Sequence, residues 1–136
     1  MKRLAPILAA SLLLLTGSNA AAKPKLDPEA RLAKALEGRV AGEPVDCIQL
    51  SRVHSTQIID HTAIIYDAGS TLYVNRPRAG LESLDRWDTM VTKSFSPQLC
   101  SVDVVRLLDT GSRFENGTVF LGEFVPYRRV RTARAD

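Results

Sequence analysis

Aromatic residues make up only 6% of the 136-residue chain, with a single tryptophan, Trp87, and there are two cysteines and two histidines. Each scarcity removes a class of chemistry. Two cysteines, Cys47 and Cys100, far apart and without a Cys-X-X-Cys pair, do not make a dithiol redox centre. His54 and His61 form no ligand spacing with either cysteine, so no zinc site or other cofactor motif is read. A Gly-X-Ser-X-Gly nucleophile elbow is absent. So is any long apolar run, apart from a short one near the start, which excludes a conventional spanning helix elsewhere.

That short run is informative. Lys2 and Arg3 precede an apolar stretch from Ile7 to Leu15, and small residues follow, Thr16-Gly17-Ser18-Asn19-Ala20-Ala21-Ala22. A basic start, a run short for a bilayer and a small-residue exit describe a secretory signal peptide over residues 1–22, cleaved after Ala20 or Ala22. An uncleaved anchor is the other reading, disfavoured by the missing stop-transfer flank. No cysteine stands at the cleavage region for lipidation. The expectation is a periplasmic or secreted protein, not integral to the membrane once the signal is gone.

Cleavage changes the charge. Without Lys2 and Arg3 the chain holds 16 basic and 15 acidic residues, so nothing in its balance points to nucleic acid. Residues 23–127 carry 12 basic and 14 acidic groups, while Arg128, Arg129, Arg131 and Arg134 crowd the final stretch. Residues 128–136 therefore read as a basic tail, either simply solvated or drawn to an envelope protein or an anionic envelope surface. The mature chain, about 114 residues, suits one domain. Residues 23–44 form a lead-in and a short helix: Asp27 caps it, Pro28 occupies its first position, Leu32 and Leu36 give a narrow apolar stripe, and Gly38 stops it.

Residues 46–75 organise the remainder. Ile58-Ile59, Ala63-Ile64-Ile65-Tyr66 and Thr71-Leu72-Tyr73-Val74 are β-branched runs separated by Asp60-His61-Thr62 and Asp67-Ala68-Gly69-Ser70. This pattern predicts a β-meander with one apolar face in need of a partner layer. In the second turn Gly69 supplies a positive φ and Asp67 bonds its own backbone. Further strands are expected over 88–95, 102–108 and 119–125, with Asn116-Gly117 as a hairpin turn in preference to a glycosylation site. Phe120 and Phe124, in one strand at even spacing, are expected to share the core. The fold class is mainly β: a small, partly open barrel, or a two-layer antiparallel sheet, of six to seven short strands over 45–127 with one N-terminal helix.

Asp46-Cys47-Ile48, Ser55-Thr56-Gln57-Ile58-Ile59-Asp60, Tyr73-Val74-Asn75-Arg76-Pro77, Leu99-Cys100-Ser101-Val102-Asp103 and Leu121-Gly122-Glu123-Phe124-Val125-Pro126-Tyr127 occur in that order. Together they resemble a family of small exported proteobacterial proteins catalogued only as a domain of unknown function. The resemblance spans residues 45–127, implies a periplasmic β-rich domain and brings no activity with it. Its pattern often includes two further cysteines near Ala79 and Val119, both missing here, so a role needing a second disulfide is not implied.

Among candidate sites, Cys47 and Cys100 are read as a structural disulfide, given an even count and an oxidising compartment. Ser51, Ser55, His54, His61, Asp60 and Asp103 contain hydrolase residue types, but strand ends and turns explain short polar residues there. Asp85, Asp88, Glu115 and Glu123 read as loop or edge carboxylates rather than a glycosidase pair. No catalytic residue is assigned. Trp87 is expected in the core; exposed, it would instead be an anchor for a partner. The functional expectation is a non-catalytic binding or interaction module of the cell envelope, with Trp87 and Arg128, Arg129, Arg131 and Arg134 as its candidate partner surface. The alternative is a small enzyme or inhibitor-like factor with a pocket inside the β domain.

Overall fold

A computed structural model describes residues 25–131. The signal-peptide reading of residues 1–22, and Arg134, lie outside the described residues. In chain order the elements are α1 (Pro28–Ala35), β1 (Arg39–Ala41), β2 (Cys47–Gln49), β3 (Ser55–Ile59), β4 (Ala63–Ala68), β5 (Thr71–Asn75), β6 (Asp88–Thr92), β7 (Gln98–Cys100), β8 (Val104–Asp109), β9 (Glu115–Phe120) and β10 (Phe124–Arg129). Every pairing is antiparallel. One sheet runs β1-β10-β5-β4-β3, a second is β2-β7, and a third is β6-β8-β9.

The meander forms as its punctuation predicts. Gly69 has φ +78° and its amide donates to the Asp67 carboxylate at 2.7 Å, closing the β4–β5 turn. His61 takes a positive φ at the other turn. The single apolar face expected of the meander becomes two. Ala63, Ile64, Ile65 and Tyr66 of β4 are all buried, and successive side chains point to opposite faces. Ile64 and Tyr66 pack with Ile48, Leu99, Val105, Leu107 and Val119 of the smaller sheets and with Phe124 of β10 in their own sheet. Ala63 and Ile65 pack with Leu32 of α1 and with Leu72 and Val74. The five-stranded sheet is thus covered by the helix on one side and by the two small sheets on the other, the arrangement that makes a strand read as an unbroken apolar run. Full burial of Ile64 or Ile65 contributes about 1.5–3 kcal/mol each.

The helix is held by local chemistry. The Asp27 carboxylate accepts from the Ala30 amide at 3.0 Å, Pro28 begins the first turn and Leu36 caps the end. So short a helix persists because Leu32 docks on the sheet.

Architecture is mainly β and layered, and no closed barrel forms among the described residues. Among the described residues ten strands replace the six or seven expected. β1, β2 and β7 have three residues each, too few to display a period. The strand expected over 119–125 is two strands in different sheets, β9 and β10, joined by Leu121-Gly122-Glu123. Phe124 is fully buried but Phe120 is 42% exposed, so the two do not share the core. Gly122 explains the crossing: a Cβ there would stand 2.5 Å from the Arg76 carbonyl oxygen. Asn116-Gly117 is also not a turn. Both residues lie inside β9, and a Cβ on Gly117 would collide with the Ser83 side chain. The β8–β9 hairpin turns earlier, where Asp109 Oδ1 accepts from the Ser112 amide at 2.6 Å and hydroxyl at 2.8 Å. The strands expected over 88–95 and 102–108 shrink to β6 and β8. β8 starts late because Asp103 folds back, its carboxylate accepting from the Cys100 amide at 2.7 Å.

One core group is unpartnered. Among the described residues the buried Tyr66 hydroxyl finds no hydrogen-bond partner, and burial pushes its pKa well above the usual phenol range. The ring meets Phe124 edge-on, centroids 5.7 Å apart. Since an orphaned hydroxyl is a cost and the ring contact survives its removal, Tyr66→Phe is expected to be neutral or to stabilise the fold by up to about 1 kcal/mol. Urea unfolding checks this, and a loss above about 1 kcal/mol would assign the hydroxyl a stabilising partner.

Candidate functional site

β3 closes one end of the five-stranded sheet and β6 one end of the three-stranded sheet, so among the described residues each has an unpaired edge. An open cleft of about 530 Å³ runs between them, lined by Thr56, Gln57 and Ile58 on one side and by residues 86–90 on the other, with Arg31 of α1 above. A second hollow, about 540 Å³, shares Arg31, Arg86 and Trp87 and reaches to Asp60, His61 and the start of α1. These volumes are those of ligand sites, though both hollows are open to solvent.

Trp87 stands where the two hollows meet and is 72% exposed. The expectation of a core position is therefore corrected. The cause is its main chain: the Trp87 amide donates to Asp85 Oδ1 at 2.8 Å and its carbonyl accepts from the Thr110 hydroxyl. Backbone bonds on both sides set the direction of the residue, and that direction is outward.

Asp60 ties the floor together. Its carboxylate accepts from the Arg86 amide at 2.8 Å, from the Arg86 guanidinium, and from Arg31 at 3.4 Å. Burial by itself would raise the Asp60 pKa. The Arg86 hydrogen bonds and the charges of Arg86 and Arg31 outweigh it and hold the carboxyl below its usual range. A folded pKa below the unfolded one means the carboxylate favours the fold above about pH 4–5, and this contribution is lost as pH falls through the depressed value. Asp60→Asn is accordingly expected to lower the melting temperature at neutral pH, with the gap to wild type closing as pH drops below about 4. A gap that stays constant across this range would contradict the network.

The remaining candidates are placed elsewhere. Among the described residues His54, Asp60, His61 and Asp103 form no hydrogen bond with one another. His61 borders the second hollow beside Asp60, but Asp60 is occupied by arginines. His54 lies against Gly69, and Asp103 belongs to the Cys100 turn. Ser55 sits on the exposed β3 edge and Ser51 in a 3₁₀ turn. Asp88 accepts from Asn116 at 2.9 Å and Glu115 pairs with Arg106 at 2.6 Å. No cluster of three His, Cys, Asp or Glu residues able to hold a metal occurs among the described residues.

Cys47 and Cys100 form a disulfide between directly opposed positions of β2 and β7. Arg128 and Arg129 are strand residues of β10 rather than the beginning of a tail, and Arg131 follows two residues after the strand. β10 pairs with β1, which sets Arg39 opposite Arg129 and Val40 opposite Arg128. Arg39 went unread in the sequence because a three-residue strand carries no signal of its own. No helix among the described residues is long and apolar enough to cross a membrane. Compared with known proteins, the chain matches no family model, no curated protein and no solved structure.

Proposed function

We propose that this is an exported, non-catalytic binding module of the cell envelope that engages a protein partner at the cleft between β3 and β6, with Trp87 as the principal contact. The observation that carries the reading is a tryptophan 72% exposed at the junction of two open hollows. Exposing so large an apolar ring is unfavourable without a partner, and tryptophan is the residue most enriched among dominant binding contacts. Two unpaired strand edges beside it offer backbone donors and acceptors. The Cys47–Cys100 bond is compatible with an oxidising compartment, and the resemblance of residues 45–127 to small exported proteins agrees with that setting.

The test is a photo-crosslinking residue at Thr56, an exposed position lining the cleft, in the exported protein within cells. A discrete protein adduct is expected, and it is expected to fall at least tenfold when Trp87→Ala is added, the scale of a dominant contact. An adduct indifferent to Trp87→Ala would remove the cleft as the binding surface.

A further inference from the structure

The β1–β10 edge breaks a rule that sheets ordinarily keep. Arg39 and Arg129 are directly opposed across an antiparallel pair, and like charges in that position repel. Arg128 is next to Arg129 in β10, and Arg131 follows. Among the described residues none of these four arginines is paired with a carboxylate, although Arg31, Arg76, Arg86 and Arg106 all are. Arg39 spends one guanidinium nitrogen on the Ser70 and Tyr127 carbonyls at 3.2 and 3.4 Å, which fixes the group without neutralising it. Glu37 and Glu43 flank β1 in the chain, and among the described residues neither forms an ion pair with these arginines.

Consecutive pairs alternate between the sheet's two faces, Arg39 with Arg129 on one and Val40 with Arg128 on the other, so cations flank this edge on both sides and apolar side chains share it. Val40, opposite Arg128, is 58% exposed, and Val130, between Arg129 and Arg131, is 59% exposed. Met edge-on, guanidiniums from both faces that can hold phosphate oxygens, with exposed aliphatic side chains on the same edge, fit the boundary between lipid headgroups and acyl chains. A peptide added as a further strand would find only the three residues of β1 to pair with. A layer of headgroups needs no register.

We propose that the edge carrying Arg39, Arg128, Arg129 and Arg131 docks edge-on to the phosphates of an anionic phospholipid surface, with Val40 and Val130 dipping into it. It lies apart from the Trp87 cleft and does not depend on the reading of that cleft. The repulsion between Arg39 and Arg129 is then relieved on docking, and the module is held on the membrane surface while the cleft stays available.

The test is co-sedimentation of the mature, disulfide-bonded protein with mixed phosphatidylethanolamine–phosphatidylglycerol vesicles and with phosphatidylcholine vesicles. Binding is expected to the anionic vesicles alone and to weaken as salt shortens the screening length from about 10 Å at 0.1 M. Each arginine near such a surface accounts for about fivefold in partitioning, so Arg129→Glu, a reversal by two charges, is expected to lose about 25-fold. The same substitution places a carboxylate opposite Arg39, so its melting temperature is expected to be no lower than that of the wild type. Loss of binding is thereby separated from misfolding. Trp87→Ala is expected to sediment like the wild type. Equal partition to both vesicle types, or undiminished binding by Arg129→Glu, would overturn the proposal. So would saturable binding of a polyglutamate peptide at a salt concentration where the vesicles are released, which would assign the face to an acidic protein.

Discussion

Replacing Cys47 and Cys100 together by alanine is expected to lower the unfolding free energy by about 4 kcal/mol, the largest single effect foreseen for this fold. The bond closes a loop with a sequence separation of 53, and the loss follows from the chain entropy that the unfolded protein regains. The native side of the comparison points the same way. β2 and β7 share three residue pairs, a two-stranded ladder too small to persist unaided. Ile48 and Leu99, the middle pair, are 4% and 1% exposed and form part of the floor beneath Ile64 and Tyr66. Without the bond the ladder frays and this floor opens to water. A domain of this size should then melt about 15 °C lower or more. Urea unfolding of the oxidised protein and the double variant measures the difference, and a loss below about 1 kcal/mol would show that the β2–β7 ladder holds without its covalent link.

Asn75→Ala is expected to cost about 3 kcal/mol, nearly as much, through two lost hydrogen bonds. Asn75 has no exposed surface. Its Nδ2 donates to the Gly122 carbonyl at 2.6 Å and its Oδ1 accepts from the Gly122 amide at 3.0 Å. Alanine would orphan both backbone groups, each at about 1–3 kcal/mol, and would leave the space of an amide behind. Asn75→Asp is expected to be no better, since it loses the donor and buries a charge. Asn116→Ala serves as the control, its side chain being exposed and bonded to Asp88 at 2.9 Å, with an expected change within about 0.5 kcal/mol. If Asn75→Ala loses less than about 1 kcal/mol in urea, the Asn75–Gly122 clamp is not what fixes the crossing from β9 to β10. That crossing matters for function because it joins the small sheet bearing β6 to the large sheet bearing β3, and so helps set the cleft between them.

Local chemistry was legible in the sequence; distant contact was not. The turn at Asp67 to Ser70 could be read because glycine's freedom and an aspartate bonding its own backbone are properties of four consecutive residues. The helix start at Asp27 and Pro28 could be read for the same reason. The disulfide followed from an even cysteine count in a chain read as exported. Gly117 and Gly122 resisted because the same residue type serves turns and close approaches alike. What they meet, Ser83 and the Arg76 carbonyl, is far away in the chain. The apolar 119–125 run hid a change of sheet within one hydrophobic stretch.

The site shows the same division. Aromatic residues default to the core in any reading of composition, and the bonds that turn Trp87 outward come from Asp85 nearby and Thr110 more distant in the chain. The four terminal arginines were visible as a charge cluster, but only the β1–β10 register adds Arg39 to them and converts part of a tail into a strand edge. Asp60 looked like a turn aspartate, and it is one. Its arginine partners, 29 and 26 positions away, were invisible.

Because the chain has one tryptophan, its intrinsic fluorescence reports on Trp87 alone. The emission of the purified, disulfide-bonded protein and its quenching by acrylamide therefore measure the surface on which the binding reading rests. A red-shifted, water-exposed emission quenched nearly as efficiently as free tryptophan is expected, followed by a blue shift and protection from acrylamide once the crosslinked partner is added. A blue-shifted emission in the free protein, insensitive to acrylamide, would place Trp87 in the core and contradict the cleft as a binding site.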